Sequence, residues 1–195
     1  MAIKLIVGLG NPGANYAVTR HNVGFWLIDV LAQSAGVNFR AESKFNGDIC
    51  RIEDNNDNDY WLLKPMTFMN NSGRAVAAMS WFYKINPQEI LVIHDELDLM
   101  PGIARLKQGG GHGGHNGLRD IITHISTNFL RLRLGIGHPG DASKVVNYVL
   151  ERPSRLDEEA ISSAIIAALD VLPLVRSGAL QKAMNQLHRP RSPVI

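Results

Sequence analysis

The segment Ile3–Leu9 is a largely apolar run that stops at Gly10-Asn11-Pro12-Gly13, the signature of a buried strand closed by a turn. Directly after it Val23, Trp26, Leu27, Val30 and Leu31 recur at helical spacing, so the chain opens as strand, loop, helix. The same alternation continues downstream. Gly47–Glu53 and Tyr60–Lys64 read as strands flanking the polar run 54–59, which suggests a hairpin. Asn71 or Ser72 can cap a helix whose Val76, Met79 and Tyr83 share a face, and Glu89–His94 returns as a buried strand. Ile103–Gln108 and Leu130–Ile136 are further strands, separated by the loop Gly109–Gly117 and a short helix around Leu118–Ile125. From Asp157, a stripe of Ile161, Ala164, Ile165, Ala168, Leu169 and Leu172 predicts a helix that Pro173 should end or kink. Leu180, Ala183, Met184 and Leu187 mark a last helix, and the tail from about 189 has no apolar period and should be frayed. The expectation is an α/β fold: one domain over 1–195, with a mixed, mostly parallel twisted sheet flanked by helices. Sites in such folds gather beyond the carboxyl ends of strands.

At 195 residues and 45% hydrophobic content the chain can bury a substantial core. The opening apolar run is too short for a secretory signal, and no other stretch is long enough to span a bilayer, so a cytoplasmic protein without membrane attachment is expected. The lone Cys50 rules out an internal disulfide and reads as structural filler. Net charge is only +2, but segment 101–155 carries eight bases against three acids. The bases are Arg105, Lys107, Arg119, Arg131, Arg133, Lys144, Arg152 and Arg155. On charge alone, a phosphate-binding face and an ordinary solvated surface are equally good readings.

Gly8-Leu9-Gly10-Asn11-Pro12-Gly13 matches the dinucleotide pattern G-x-G-x-x-G, but the spacing is wrong for that use. A cofactor loop starts its helix inside the glycines, whereas here Pro12, Asn15 and Tyr16 intervene and helical spacing begins near Val23. The segment instead offers Asn11 and Tyr16 side chains to a ligand, with His21 beside a helix start. Taken alone, His21 reads best as a packing or capping residue. As a general base it would need a neutral imidazole, which the positive helix end favours. Asp95, at the end of Glu89–His94, can hold the far nitrogen of such a histidine and would act in the opposite sense on its pKa. Glu96 and Asp98 read as ordinary surface acids. The loop Gly109–Gly117 carries His112, His115 and Asn116. Two histidines three apart in a glycine loop are no rigid metal pair, so a hydrogen-bonding Asn116 positioned by His115 is the better reading. Phe68, Met69 and Asn70 place an aromatic, a thioether and an amide together, a mix that suits a nucleobase or ribose, although Phe68 and Met69 also read as core.

Together these runs resemble bacterial-type peptidyl-tRNA hydrolases. The likeness is carried by Lys4–Gly13, Thr19-Arg-His-Asn22, Lys64-Pro…Thr67-Phe-Met-Asn70, His94–Asp98, Gly109–Gly117 and Arg133–Gly140. It implies a monomeric, metal-free, cofactor-free esterase that cuts the bond between a peptide and the terminal ribose of tRNA, recycling tRNA from abandoned translation. By that resemblance His21 is the base that activates water and Asp95 the acid that holds it. Asn11 recognises the blocked amino end of the substrate, and Asn70 is the first candidate for stabilising the oxyanion. Tyr16, Phe68, Asn70 and Asn116 are tRNA or peptide contacts supported by Met69 and His115, while Lys107 and Arg133 clamp phosphate. One departure follows Gly140-Asp141, where Ala142-Ser143 replace a lysine of the family pattern and leave Lys144 as the substitute. The rival functions are a non-catalytic RNA-binding module on the same fold and a nucleotide-dependent enzyme.

Overall fold

The computed structural model describes residues 2–53 and 59–189. The expected turn at 54–59 lies outside these residues except for Asp59, as does the tail beyond Arg189. Seven strands form one sheet: β1 (Leu5–Gly8), β2 (Arg40–Glu42), β3 (Gly47–Ile52), β4 (Tyr60–Pro65), β5 (Ile90–Glu96), β6 (Ala104–Gln108) and β7 (Leu130–Gly135). Their order is β2-β3-β4-β1-β5-β7-β6. The central pairings, β4 with β1, β1 with β5 and β5 with β7, are parallel. The outer ones, β2 with β3, β3 with β4 and β6 with β7, are antiparallel, so the parallel character belongs to the middle of the sheet.

Successive strand residues point to opposite faces, and the central strands are apolar on both. Ile6, Leu91 and Ile93 pack with Val23, Leu27 and Ile28 of α1 (Val23–Ser34) and with α5 (Arg155–Arg176) and α6 (Leu180–Leu187). Leu5, Val7, Ile90 and Val92 pack on the other side, against α2 (Ser72–Phe82) and α3 (Asn116–Ile125). A short α4 (Val145–Val149) follows β7.

Two glycines of the opening motif, Gly8 and Gly10, serve packing, while Gly13 takes a positive φ in open space. A Cβ on Gly8 would lie 2.4 Å from the Gly24 carbonyl oxygen, and one on Gly10 would lie 2.7–2.9 Å from the Phe25 ring. α1 starts only at Val23, ten residues after Gly13, so its N-terminus is not at the glycines as a dinucleotide loop requires.

Several local expectations change. Val30, placed on the α1 stripe by periodicity, is exposed. Neither Asn71 nor Ser72 caps α2 through its side chain; Ser72 Oγ donates to the Met69 carbonyl, and the Asp120 carboxylate accepts from Gly73 N. The carboxylate comes from α3, so tertiary packing replaces a local cap. Pro173 does not end α5, which continues to Arg176. Proline removes only one helical hydrogen bond near the end of the helix, while Leu172 and Val175 on either side are buried and hold the last turn.

Candidate active site

The carboxyl end of β5 carries His94, Asp95 and Glu96 toward the loop after β1. Asp95 shares the parity of Leu91 and Ile93, the face covered by α1, and the single helical turn Arg20–Asn22 immediately before α1 brings His21 to it. His21 Nδ1 lies 2.9 Å from both Asp95 carboxylate oxygens. A third group completes the arrangement: His115 Nε2 is 2.9 Å from Asp95 Oδ1. His115 Nδ1 accepts the backbone N–H of Leu118 as the cap of α3, so its proton resides on Nε2 and is donated to Asp95.

These contacts set the electrostatics. Burial works to lower the His21 pKa, but the charge of Asp95 and its hydrogen bond outweigh that and hold it above its ordinary value. Burial works to raise the Asp95 pKa, yet His21 and His115 hold it well below the usual carboxylate range. At His21 the carboxylate therefore outweighs burial. His94 behaves differently. Buried on the other face, it donates from Nδ1 to the Asp95 carbonyl at 2.7 Å, its Nε2 has no partner, and burial pushes its pKa down to about 3.

A cleft of ≈ 570 Å³ opens over His21 and Asp95. Asn11, Phe68, Met69, Asn70, His115, Asn116, Lys107 and Arg133 all line it. Asn11 is less free than expected. Its Oδ1 accepts from Met69 N at 2.7 Å, and the Asn22 amide brackets its backbone N–H and carbonyl at 2.9 Å each. That leaves Nδ2 as the group available to a ligand. Phe68 is 58% exposed whereas Met69 is buried, so the pair divides between the cleft surface and the core.

Tyr16 and Lys144 do not line the cleft; Tyr16 instead sets its ring edge-on to Phe68 with centroids 6.3 Å apart. His115 does not orient Asn116. Arg119 does so, donating to Asn116 Oδ1 at 3.0 Å and leaving the Asn116 N–H groups free. Glu96 is no ordinary surface acid: it lines the cleft and accepts from Arg133 Nε at 2.8 Å. Arg131, counted in the basic face, is buried.

His112 Nδ1 accepts from Gly114 N, and its side chain does not join His115 in the group of possible metal ligands at Asp95. His21 Nδ1, an Asp95 oxygen and His115 Nε2 lie within 4.8 Å of one another, a set that could hold a metal. The hydrogen bond onto His115 Nδ1 fits protonation at Nε2 and therefore a proton-linked trio. Among the described residues no Ser, Thr or Cys lines the cleft.

An α/β enzyme whose cleft is built on a buried imidazole–carboxylate pair is the class this arrangement defines. The family model for peptidyl-tRNA hydrolase matches residues 5–194. The chain belongs to the peptidyl-tRNA hydrolase family. It is 55% identical to a peptidyl-tRNA hydrolase of Coxiella burnetii, across 95% of this chain and 97% of that one. It is 57% identical to that of Methylobacillus flagellatus, across 95% and 96%. The crystal structure of peptidyl-tRNA hydrolase from Acinetobacter baumannii superposes with a TM-score of 0.92 at 50% identity, covering 95% of this chain and 94% of that chain. Among the described residues no helix is long and apolar enough to cross a membrane.

Proposed function

We propose that this chain hydrolyses the ester joining a peptide to the 3′-terminal ribose of tRNA, with His21 as general base and Asp95 as the group that orients it. The observation that carries this reading is the doubly contacted His21 Nδ1, which leaves Nε2 as the lone-pair nitrogen at the cleft. Water gives a proton to Nε2 as its oxygen bonds to the ester carbon. The resulting oxyanion is stabilised by the Asn70 amide, with Asn116 beside it. The bond to the ribose oxygen then breaks, and that oxygen takes the proton back from the imidazolium. An ester has an alkoxide leaving group, so no protein nucleophile is needed.

Asn11 Nδ2 receives the blocked amino end of the peptide. Phe68, backed by Tyr16 and Met69, meets the terminal nucleoside, and Lys107 and Arg133 meet phosphate. Lys144 supplies charge at the edge of this face. The enzyme acts as a single-domain monomer in the cytoplasm, without a cofactor.

Incubation with N-acetyl-aminoacyl-tRNA and with free aminoacyl-tRNA tests the reading. The blocked ester alone should be cleaved, chelator should have no effect, and His21→Ala should abolish turnover. Wild-type rates in that variant would overturn the mechanism.

A further inference from the structure

A guanidinium carries a fixed charge and five donors, so burying one away from carboxylates is costly unless its acceptors do something needed. Arg131 in β7 is 3% exposed; among the described residues its side chain makes no hydrogen bond to a carboxylate, although the charge of Glu96 reaches it. Its Nη1 donates to the Gly111 carbonyl at 2.5 Å, and its Nη2 donates to that of Gly110. The guanidinium lies 4.8 Å from the centre of the Phe129 ring, and Nε has no partner.

Both acceptors belong to the loop that precedes α3. Gly109 N donates to the Phe129 carbonyl at 2.9 Å, so with Arg131 the first three loop residues are tied to β7 and the residue before it. The loop's other ties are local: a Cβ on Gly110 would stand 3.0 Å from the Lys107 side chain, and within the loop Gly114 N donates to His112 Nδ1 and His115 N to the His112 carbonyl. A Cβ built at Gly111, Gly113 or Gly114 would meet nothing within 4 Å. Glycine segments in open space have large conformational freedom. Yet this loop ends at His115, whose Nε2 must arrive 2.9 Å from Asp95 Oδ1.

We infer that Arg131 is a positioning residue for the reaction, clasping the glycine loop by two carbonyls so that His115 is delivered to the Asp95 carboxylate. The inference rests on the His21–Asp95 reading above. It differs from what charge counting suggests: Arg131 lines the cleft, but its Nη1 and Nη2 are both engaged by backbone carbonyls, which makes it a fastening for the loop, whereas a phosphate contact would need donors free to face the tRNA.

The test is a double-mutant cycle between Arg131→Met and His115→Ala, with kcat and KM measured on N-acetyl-aminoacyl-tRNA. Methionine keeps an apolar stem against Phe129 and removes the donors. Arg131→Met should lower kcat by about tenfold to a hundredfold with little change in KM, because small misplacements at a reacting centre have effects of that size. In the His115→Ala background the same substitution should change kcat by less than about twofold, because the loop then has no histidine to deliver. Arg131→Lys, which can still donate to a loop carbonyl, should recover part of the loss; should the methionine variant not fold, the lysine variant runs through the same cycle. An undiminished effect in the absence of His115, or an effect on KM alone, would overturn the role of Arg131. A His115→Ala enzyme with full kcat would instead overturn the reading of His115 at the site.

Discussion

His21 Nδ1 sits 2.9 Å from each oxygen of the Asp95 carboxylate, so one buried acid both orients the imidazole and holds its pKa above the ordinary value. A base must be neutral to accept a proton, so kcat should fall as pH drops through a value above the unperturbed 6.5. Asp95→Asn removes the charge that raises this pKa and leaves the lowering effect of burial. Its pH–rate profile should therefore shift to lower pH, while kcat at neutral pH falls roughly a hundredfold to ten-thousandfold. A profile that does not move would separate Asp95 from the titration of His21.

His94 gives a stability prediction of definite sign. In the unfolded chain it takes a proton near its ordinary value of 6.5, while in the folded protein it waits until about 3. Between those values the unfolded state binds more protons, so stability is lost as pH falls through that window, by about 1.4 kcal/mol per pH unit for this one group. An asparagine at this position would not titrate, so the His94→Asn variant should show a shallower acid loss. Urea unfolding at pH 6.5 and 4.5 should give a difference between the two proteins that changes by about 2–3 kcal/mol across that interval. Parallel curves would contradict the depressed pKa.

Gly24 of α1 lies against the backbone at the carboxyl ends of β1 and β5. A Cβ there would stand 2.5 Å from both Leu9 N and Leu9 O, and 2.6 Å from Ile93 O, none of which can move as a flexible side chain could. Gly24→Ala should lower Tm by about 5 °C, because overpacking by about 1–3 kcal/mol outweighs the better helix propensity of alanine. Calorimetry showing an unchanged or higher Tm would refute the close approach.

Lys107 and Arg133 line the same cleft, but of the two only Arg133 has an acid partner among the described residues, Glu96 at 2.8 Å. Lys107→Ala should raise KM and reduce the slope of log KM against log salt by about one, as expected for one lost phosphate contact. Arg133→Ala should reduce that slope less, and Glu96→Gln should steepen it by freeing the guanidinium. Equal slopes in all four proteins would remove phosphate from the account of this face.

The strands and helices were legible because their apolar periods are strong: β1, β5 and β7, along with α1, α5 and α6, appear within a few residues of where spacing places them. The three-residue β2 and the five-residue α4 are too short to carry a period. The preference for parallel pairing described the centre of the sheet and not its edges, because pairing direction at an edge depends on which neighbour a strand meets. That His21, Asp95, Asn11, Asn70 and Asn116 share one cleft was legible through ordered motifs; local sequence offered Asn11, Asp95 and Asn116 as candidates but left His21 a packing residue. What remained hidden was hydrogen bonding between distant segments. Arg131 looks the same in sequence as the half-buried Arg133 two residues later, and nothing in that spacing tells which guanidinium the glycine loop will engage. The bond from His115 to Asp95 spans twenty positions and has no pattern that announces it.

Asp95 stands on β5, a strand with parallel neighbours on both sides, β1 and β7. Phe68, Asn70 and Asn116, by contrast, come from a turn and a helix start and are exposed. Backbone in the middle of a sheet exchanges its amide hydrogens only when the whole molecule opens, whereas peripheral turns open locally and often. The ester is the same in every substrate while the peptide attached to it varies. Under the proposed roles the base is seated on a stiff post, while the amides and the aromatic ring that meet the substrate around the ester sit on a compliant rim that can adjust to each peptide.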